Sequence, residues 1–570
     1  GGSQKAFDAW NTFSQSVPDK YDEAVCISRR EKMTRRRTPG LGTLIYFAKK
    51  DNPTVYNKYK QDKLEKSVDN SINTGGAHND IAKMLYESFR TEFKASSIGK
   101  RTWYQFREHI WEPIEEGTFL RARISDDRQG GTLCMFQERI KKFKTCLAEE
   151  QDKAIQASFQ VRIKGLEKIA NNLKSAPYKN NIMRECLEVF YDRHFTDRLN
   201  KHGKLIAFKN GVYDLEINNF RDGVPEDYLS KKIPISYNPD LNLDSPSVVD
   251  VKNFLEQVFP DRQIRRYFCD IYSNIFVGGN SRKIVLFWTG DGDNGKSVTQ
   301  SLFEKMLGEL AIKLETSLLS GKKTQTGCAA PEMARAGPPV RHAVLEEPDG
   351  NEQLNCGYLK RLSGNDSYWA RDLFETGKSV HEIIPMFTIT FICNKLPPLR
   401  NSDKATWNRV RVIPFESTFV RPGEPCPETY EEQLRTKQFP MDQHFSDKIP
   451  GMLDAFAWYL LWWRRTQPPG EDPPKVKEVT RAYEMVNDKN KNFVQEVLLQ
   501  DENAKIPIAD VFNLFKVWQK ENYPNMGLPN KPDFLTDFEK VLTPLGDHYI
   551  GWKLKRGSGN AENSGGAPGM

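Results

Sequence analysis

The octapeptide Gly290-Asp-Gly-Asp-Asn-Gly295-Lys296-Ser297 constrains this chain more than any other feature, because it fits G-x-x-x-x-G-K-[ST]. Its surroundings suit that pattern. The run 284–289 reads as a buried strand leading in. Val298, Leu302, Phe303 and Met306 fall on one side of a following helix, and Gly308 stands where that helix should end. A strand, a glycine-rich loop and a helix in this order wrap backbone N–H groups and the positive end of a helix around a phosphate. Gly290, Asp291, Gly292, Asp293, Asn294, Gly295, Lys296 and Ser297 are therefore the candidate nucleotide site. In it Lys296 reaches the β/γ-phosphates and the Ser297 hydroxyl ligands Mg²⁺.

Three further apolar runs, 340–345, 387–393 and 410–415, alternate with helical patterns. That alternation predicts an α/β domain with a mainly parallel sheet. The first of these runs ends at Glu346-Glu347, close to fifty residues beyond Lys296. One carboxylate can support the Mg²⁺ shell, a role assigned to Glu346, and the other can orient or deprotonate water. The second ends at Asn394, whose amide can hold the attacking water or touch the γ-phosphate. The third carries Arg409 and Arg411, which a spacing of two places on one strand face. Two such arginines can stabilise a transferring phosphate in a neighbouring subunit. Each group has a plainer reading: glutamates opening a surface loop, an Asn before the Pro397-Pro398 turn, arginines on ordinary surface.

With 570 residues the chain has room for three to five domains at ~100–200 residues each. Lys and Arg exceed Asp and Glu by only 7, which permits a nucleic-acid partner without requiring one. The longest apolar runs, such as 455–463, fall short of the ~20 residues that span a bilayer, so no membrane association is expected. Nine scattered cysteines without a C-x-x-C pair, and eight dispersed histidines, argue against a disulfide framework or a zinc ribbon. The opening Gly1-Gly2-Ser3, lacking an initiating Met, is what a fragment would show.

Along the chain, residues 1–76 read as a basic accessory region with Arg29, Arg30, Lys32 and Arg35 to Arg37, closed by a linker over 70–76. Residues 77–280 read as mixed and helical. Ile81, Met84, Leu85 and Phe89 recur at helical spacing, helices fill 136–187, and Asn210-Gly211 signals a hairpin. The α/β domain is expected to occupy 281–425, and Pro422, Pro425 and Pro427 punctuate its end. A helical connector with the 458–463 tryptophan cluster spans 426–486. In 487–556 an apolar face of Val511, Leu514, Phe515 and Trp518 and a β-rich end at 549–554 suit a winged-helix-like domain. A tail, 557–570, is expected to be disordered.

Taken in order, these elements resemble a superfamily 3 helicase. The resemblance rests on the P-loop, the Glu346-Glu347 strand, Lys360-Arg-Leu-Ser-Gly364-Asn-Asp366-Ser-Tyr-Trp-Ala-Arg371, the Asn394 strand and Trp407-Asn-Arg409-Val-Arg411. Upstream, Ala207-Phe-Lys-Asn-Gly-Val-Tyr-Asp-Leu215 and Ile233-Pro-Ile-Ser-Tyr237 look like the domain that precedes the motor in vaccinia-type primase–helicases of nucleocytoplasmic large DNA viruses. The resemblance implies a multidomain α/β chain: a central AAA+-like P-loop ATPase, a collar before it and a winged-helix-like domain after it. It implies an ATP-driven DNA helicase of viral genome replication that uses ATP and Mg²⁺. Such a motor works as a homo-oligomeric ring, a hexamer, on single-stranded and forked duplex DNA, beside viral replication proteins at sites in the host cytoplasm. It makes Glu347 the water-activating acid, Asn394 the sensor, and Arg409 the arginine finger ahead of Arg411. It also points to the hairpin Phe374-Glu-Thr-Gly-Lys378-Ser-Val-His381, with Lys378 and His381 as DNA contacts, and to a primase half lying before the helicase part. Besides a small-molecule kinase, which would leave the Lys360–Arg371 segment and the large flanking domains unexplained, two other readings compete. Asn394-Lys395-Leu396-Pro397 faintly echoes a guanine-reading Asn-Lys-x-Asp, but Pro397 stands where the carboxylate belongs. An ATP-dependent clamp or loader without strand separation is the other, and the intact acidic pair speaks against it.

Overall fold

A computed structural model describes residues 51–320, 330–346, 353–370, 381–400, 402–522, 527–539 and 541–555, with isolated positions before residue 51. The first unit is mainly helical. Helices Pro53–Asn73, His78–Phe89, Thr132–Glu149, Lys153–Asn172 and Ala176–Val189 accompany an antiparallel sheet of β1 (Phe93–Ser97), β2 (Thr102–Arg107) and β3 (Ile110–Ile114). Ile81, Met84, Leu85 and Phe89 are buried as their spacing predicts, in one core with Val68, Phe136, Leu166 and Ile182. The segment 70–76 is not a linker throughout. Asn70 to Asn73 form the last turn of Pro53–Asn73, and the chain reverses only at Gly75 and Gly76, with φ 63° and 80°. Val68 and Ser71 are buried there, and that packing overrides the loop preference of the Asn- and Ser-rich sequence.

The hairpin around residue 210 is formed by β4 (Leu205–Phe208) and β5 (Gly211–Asp214), with β6 (Asn219–Arg221) added. Phe208 pairs with Gly211, so the turn is Lys209-Asn210, one residue earlier than the sequence signal. Asn210 accounts for the offset. Its side chain accepts from the Tyr237 amide and donates to the Tyr237 carbonyl, each at 2.9 Å.

The central sheet contains β7 (Val285–Thr289), β8 (Ala311–Lys313), β9 (His342–Glu346), β13 (Thr388–Cys393) and β15 (Val410–Pro414). Between β9 and β15 lie four short strands. β10 (Leu354–Asn355) pairs with β14 (Leu399–Arg400), and β11 (Tyr368–Ala370) pairs with β12 (His381–Ile383). The order across the sheet is β15-β7-β13-β9-β8, and every neighbouring pair is parallel. Both faces are covered, as continuous apolar strands require. Leu286, Trp288 and Val344 face a core with Leu302 and Phe303 of helix Lys296–Leu307 and Phe456 of helix Phe445–Thr466. Val285, Phe287 and Leu345 face Leu359 and Tyr483. Sequence periodicity finds four of the five strands; β8, three residues long and half-exposed, carries too little signal.

Beyond the sheet, β16 (Thr418–Val420) runs parallel to β17 (Gln438–Pro440). The chain ends in a unit of helices Lys489–Val497, Ile508–Asn522 and Lys531–Phe538 with β18 (Leu498–Pro507), β19 (Pro544–Leu545) and β20 (His548–Leu554), in the sheet order β18-β20-β19. Val511, Phe515 and Trp518 are buried there, as the helical spacing predicts.

A buried polar chain lies beside Phe303 in the core under the central sheet. The Thr390 hydroxyl lies 2.9 Å from the Tyr272 hydroxyl and 3.0 Å from His342 Nε2. Burial of the imidazole depresses the His342 pKa to about 3. The unfolded chain, with a His pKa of ~6.5, binds the extra proton between those values, so stability falls as pH drops below ~6.5. Thermal midpoints at pH 7.5 and pH 5 should show wild type losing roughly 2 kcal/mol through this group, and His342→Gln should remove that part of the loss. An identical acid loss in His342→Gln would show that His342 does not carry it.

Candidate nucleotide site

The pairing register makes the site. Thr289 of β7 lies level with Cys393 of β13 on one side and Pro414 of β15 on the other. Gly290, Asn394 and Phe415 therefore leave the sheet together at its carboxyl edge. From β7 the chain crosses over β13 and β9 to β8, while β15 sits on the other flank. That is a topological switch point, where open α/β sheets hold their ligands.

The loop is shaped by close backbone approach. Gly290 has φ 152°, and a Cβ there would sit 2.3 Å from the Phe415 carbonyl oxygen. Gly295 has φ 83° and lies against Val258 and Phe419. No other residue type fits either position without displacing backbone or core side chains. At Gly292, by contrast, a Cβ would meet nothing within 4 Å. Among the described residues the amides of Gly292, Asp293 and Gly295 have no hydrogen-bond acceptor, and neither does the exposed Ser297 hydroxyl. Free amides in a glycine-rich loop at the start of the twelve-residue helix Lys296–Leu307 are the donors that a phosphate cradle needs.

Lys296 is buried and folded back onto this loop. Its ammonium donates to the carbonyls of Gly290 at 2.5 Å and Asp291 at 3.3 Å, and to Asn394 Oδ1 at 3.1 Å. Two groups separated by 98 residues, read as phosphate-binding and sensing, thus meet directly. The donor set of Lys296, the loop amides and Ser297 suits a nucleotide phosphate with its Mg²⁺, and Ser297 would supply the protein oxygen to the metal.

Glu346 ends β9 on the face of helix Lys296–Leu307, the face that Val344 also takes. It is exposed and pairs with Lys313 of β8 at 2.9 Å; Lys313 also reaches Glu304 of that helix at 3.0 Å. Hydrogen bonds that its ammonium donates to Glu346 and Glu304 raise the Lys313 pKa. Sequence reasoning did not find Lys313, because its partners lie nine residues before it and 33 after it. Glu347, Lys378 and the hairpin segment 374–380 lie outside the described residues. The base of that hairpin is formed by β11 and β12, where Ala370 pairs with His381.

Arg409 and Arg411 sit at the other end of the sheet. Val410 pairs with Val285, and the Val285 amide donates to the Arg409 carbonyl at 2.8 Å, so both mark the amino edge of β7. Five residues of strand separate Arg409 from the level of the P-loop, roughly 16 Å at ~3.3 Å per residue. Arg409 therefore cannot reach its own loop. Its guanidinium donates once, to the Ala405 carbonyl at 2.7 Å, and no described carboxylate pairs with it. Arg411 differs. It binds Asp472 at 2.5 Å and three nearby carbonyls, including Val410 at 2.7 Å.

The segment 360–370 supports this edge. Lys360 pairs at 2.9 Å with Asp403, which caps the short helix Lys404–Trp407 just before Arg409. The Thr406 hydroxyl and amide, together with Lys360, pull the Asp403 pKa down to about 2. Asn365, at φ 61°, accepts from the Asn280 amide at 2.8 Å, and the Asn280 side chain braces the entry to β7 through Ile284.

Residues 82–260 match the family model described as "D5 N terminal like". "Putative helicase 022R" of Frog virus 3 is 34% identical over 92% of this chain, and "Putative helicase L207/L206" of Acanthamoeba polyphaga mimivirus is 30% identical over 93%. "Putative primase C962R" of African swine fever virus is 23% identical over 91%. This chain spans 62%, 54% and 55% of those relatives' lengths. Among solved structures, the apo C-terminal region of NrS-1 covers 58% of this chain and 68% of its own at 13% identity, with a TM-score of 0.32, too loose a likeness to bear on the fold. Residues 82–260 thus carry a D5-like region, and over more than nine-tenths of its length the chain is similar to D5-type putative helicases and primases of large DNA viruses.

Proposed function

We propose that this chain is the ATP-hydrolysing motor of a viral DNA helicase, acting in a homo-oligomeric ring on single-stranded DNA and at forks. The observation that carries the reading is the contact of Lys296 with Asn394 inside a loop of free amides at the sheet's switch point. The central domain is read as an AAA+-like, superfamily 3 ATPase and the ring as a hexamer. Its partners would be viral replication proteins, and its place of work the host cytoplasm.

In this mechanism Lys296 exchanges the loop carbonyls for the β/γ-phosphates, and the amides of Gly292, Asp293 and Gly295 receive phosphate oxygens. Ser297 holds Mg²⁺, which supplies charge neutralisation when bound. Asn394 couples the γ-phosphate position to β13. Glu346, paired with Lys313 in this structure, would supply a carboxylate to the metal's oxygen shell, and Glu347 would activate water. Arg409, too far from its own loop, enters the site of a neighbouring subunit. Arg411 is assigned to the fold instead, because Asp472 occupies it. Lys378 and His381 would carry the motion to DNA phosphates, with an affinity that falls steeply with salt.

The element order of 488–555 supports a winged helix, but its composition does not suit a phosphate backbone. That stretch holds nine lysines, no arginine and ten carboxylates. Contacts to other replication proteins fit it better than contacts to DNA.

Lys296→Ala should lower ATP turnover by roughly 10²-fold or more, measured by phosphate release, with the fold retained. Turnover near wild type would end the P-loop assignment. The two arginines should separate cleanly. Arg409→Ala should lose roughly 10³-fold in turnover while keeping its thermal midpoint and its mass in solution. Arg411→Ala should lower the thermal midpoint by the equivalent of about 1–3 kcal/mol, because Asp472 is left without its partner. Exchanged phenotypes would make Arg411 the finger.

A further inference from the structure

The P-loop is gripped from outside by one downstream segment, residues 415–421, at four successive points. The Phe415 carbonyl lies under Gly290 and accepts from Asn294 Nδ2 at 3.5 Å. The Phe419 amide donates to the Asp293 carbonyl at 2.7 Å, and the Phe419 ring backs Gly295. Arg421 Nε and Nη2 both donate to Asp293 Oδ2, at 3.1 and 3.0 Å. Asp293 has φ 55°, a left-handed conformation that a side chain disfavours, so this turn needs outside support. The gripping segment is itself anchored. β16 pairs with β17, the Ser417 hydroxyl donates to Gln257 O at 2.6 Å, and Glu416 pairs with Lys437 at 2.6 Å.

We infer that Arg421 is a positioning residue for nucleotide binding: through Asp293 it holds the P-loop in the turn whose amides meet phosphate. The inference rests on the P-loop reading above. The grip leaves the loop's outer side open at Gly292, and it acts before nucleotide arrives. Arg421 is exposed, so losing it perturbs loop preorganisation and leaves the core untouched. The expected signature is weaker binding with little change in saturated turnover.

Binding of N-methylanthraniloyl-ATP and steady-state hydrolysis should be measured for wild type, Arg421→Ala, Asp293→Asn and the double variant. Each single change should weaken binding about fivefold, the scale of an exposed charged pair. The double should be no weaker than either single, saturated kcat of Arg421→Ala should stay within about twofold of wild type, and Arg421→Lys should recover part of the affinity. Unchanged binding in Arg421→Ala overturns the inference. Additive losses in the double, or a neutral Asp293→Asn, overturn it as well, because Arg421 would then act on the nucleotide directly. Lys296→Ala is the separating control: wild-type binding there would bring down the P-loop reading itself, and the inference with it.

Discussion

The parallel pairing of β7 with both β13 and β15 is the constraint on which everything else depends. It ends three strands level at Thr289, Cys393 and Pro414. The P-loop, Asn394 and Phe415 then have to occupy one corner. The same register sends Arg409 to the opposite edge. Two sets of charged groups that the sequence places 113 residues apart, Lys296 and Arg409, are thereby kept apart within one subunit. A site that needs both has to be built from two copies.

Cooperation between the two ends has a physical route. β15 starts beside Arg409 and continues into the segment that grips Gly290, Asp293 and Gly295. A five-residue edge strand, paired along its length with β7 and covered on both faces, bends little. Displacement of Arg409 by a neighbour's nucleotide would therefore be felt at the subunit's own loop. The Lys360–Asp403 pair and the Asn365–Asn280 bonds hold the Arg409 edge to the strand entry, which gives the segment 360–370 a mechanical role that its composition alone does not disclose.

Much of this was legible in the sequence where the signal is local. The turn after β7 is legible through Gly290 and Gly295, whose φ values of 152° and 83° favour glycine. Four strands show as short apolar runs, and Gly308 does cap the helix it was expected to end. What escaped was set by distant partners. Asn70 to Asn73 look like loop until Val68 and Ser71 are buried against other helices. The turn at residue 210 shifted by one because Asn210 bonds Tyr237, 27 residues on. A spacing of two put Arg409 and Arg411 on one strand face, with only the family resemblance favouring Arg409, and the contact that separates them, Asp472, lies 61 residues downstream of Arg411. Nothing local to Glu346 foretells its capture by Lys313.

The central claim is a catalytic site shared between copies, and mixing two inactive proteins tests it most directly. Lys296→Ala keeps Arg409 and lacks a working loop; Arg409→Ala keeps the loop and lacks the finger. Each should hydrolyse ATP poorly alone. If sites form between subunits, an equimolar co-assembled mixture recovers turnover, because some interfaces join an intact Lys296 to an intact Arg409. Phosphate release that stays at the level of the separate variants, in mixtures shown by fluorescence transfer to co-assemble, would contradict a shared site.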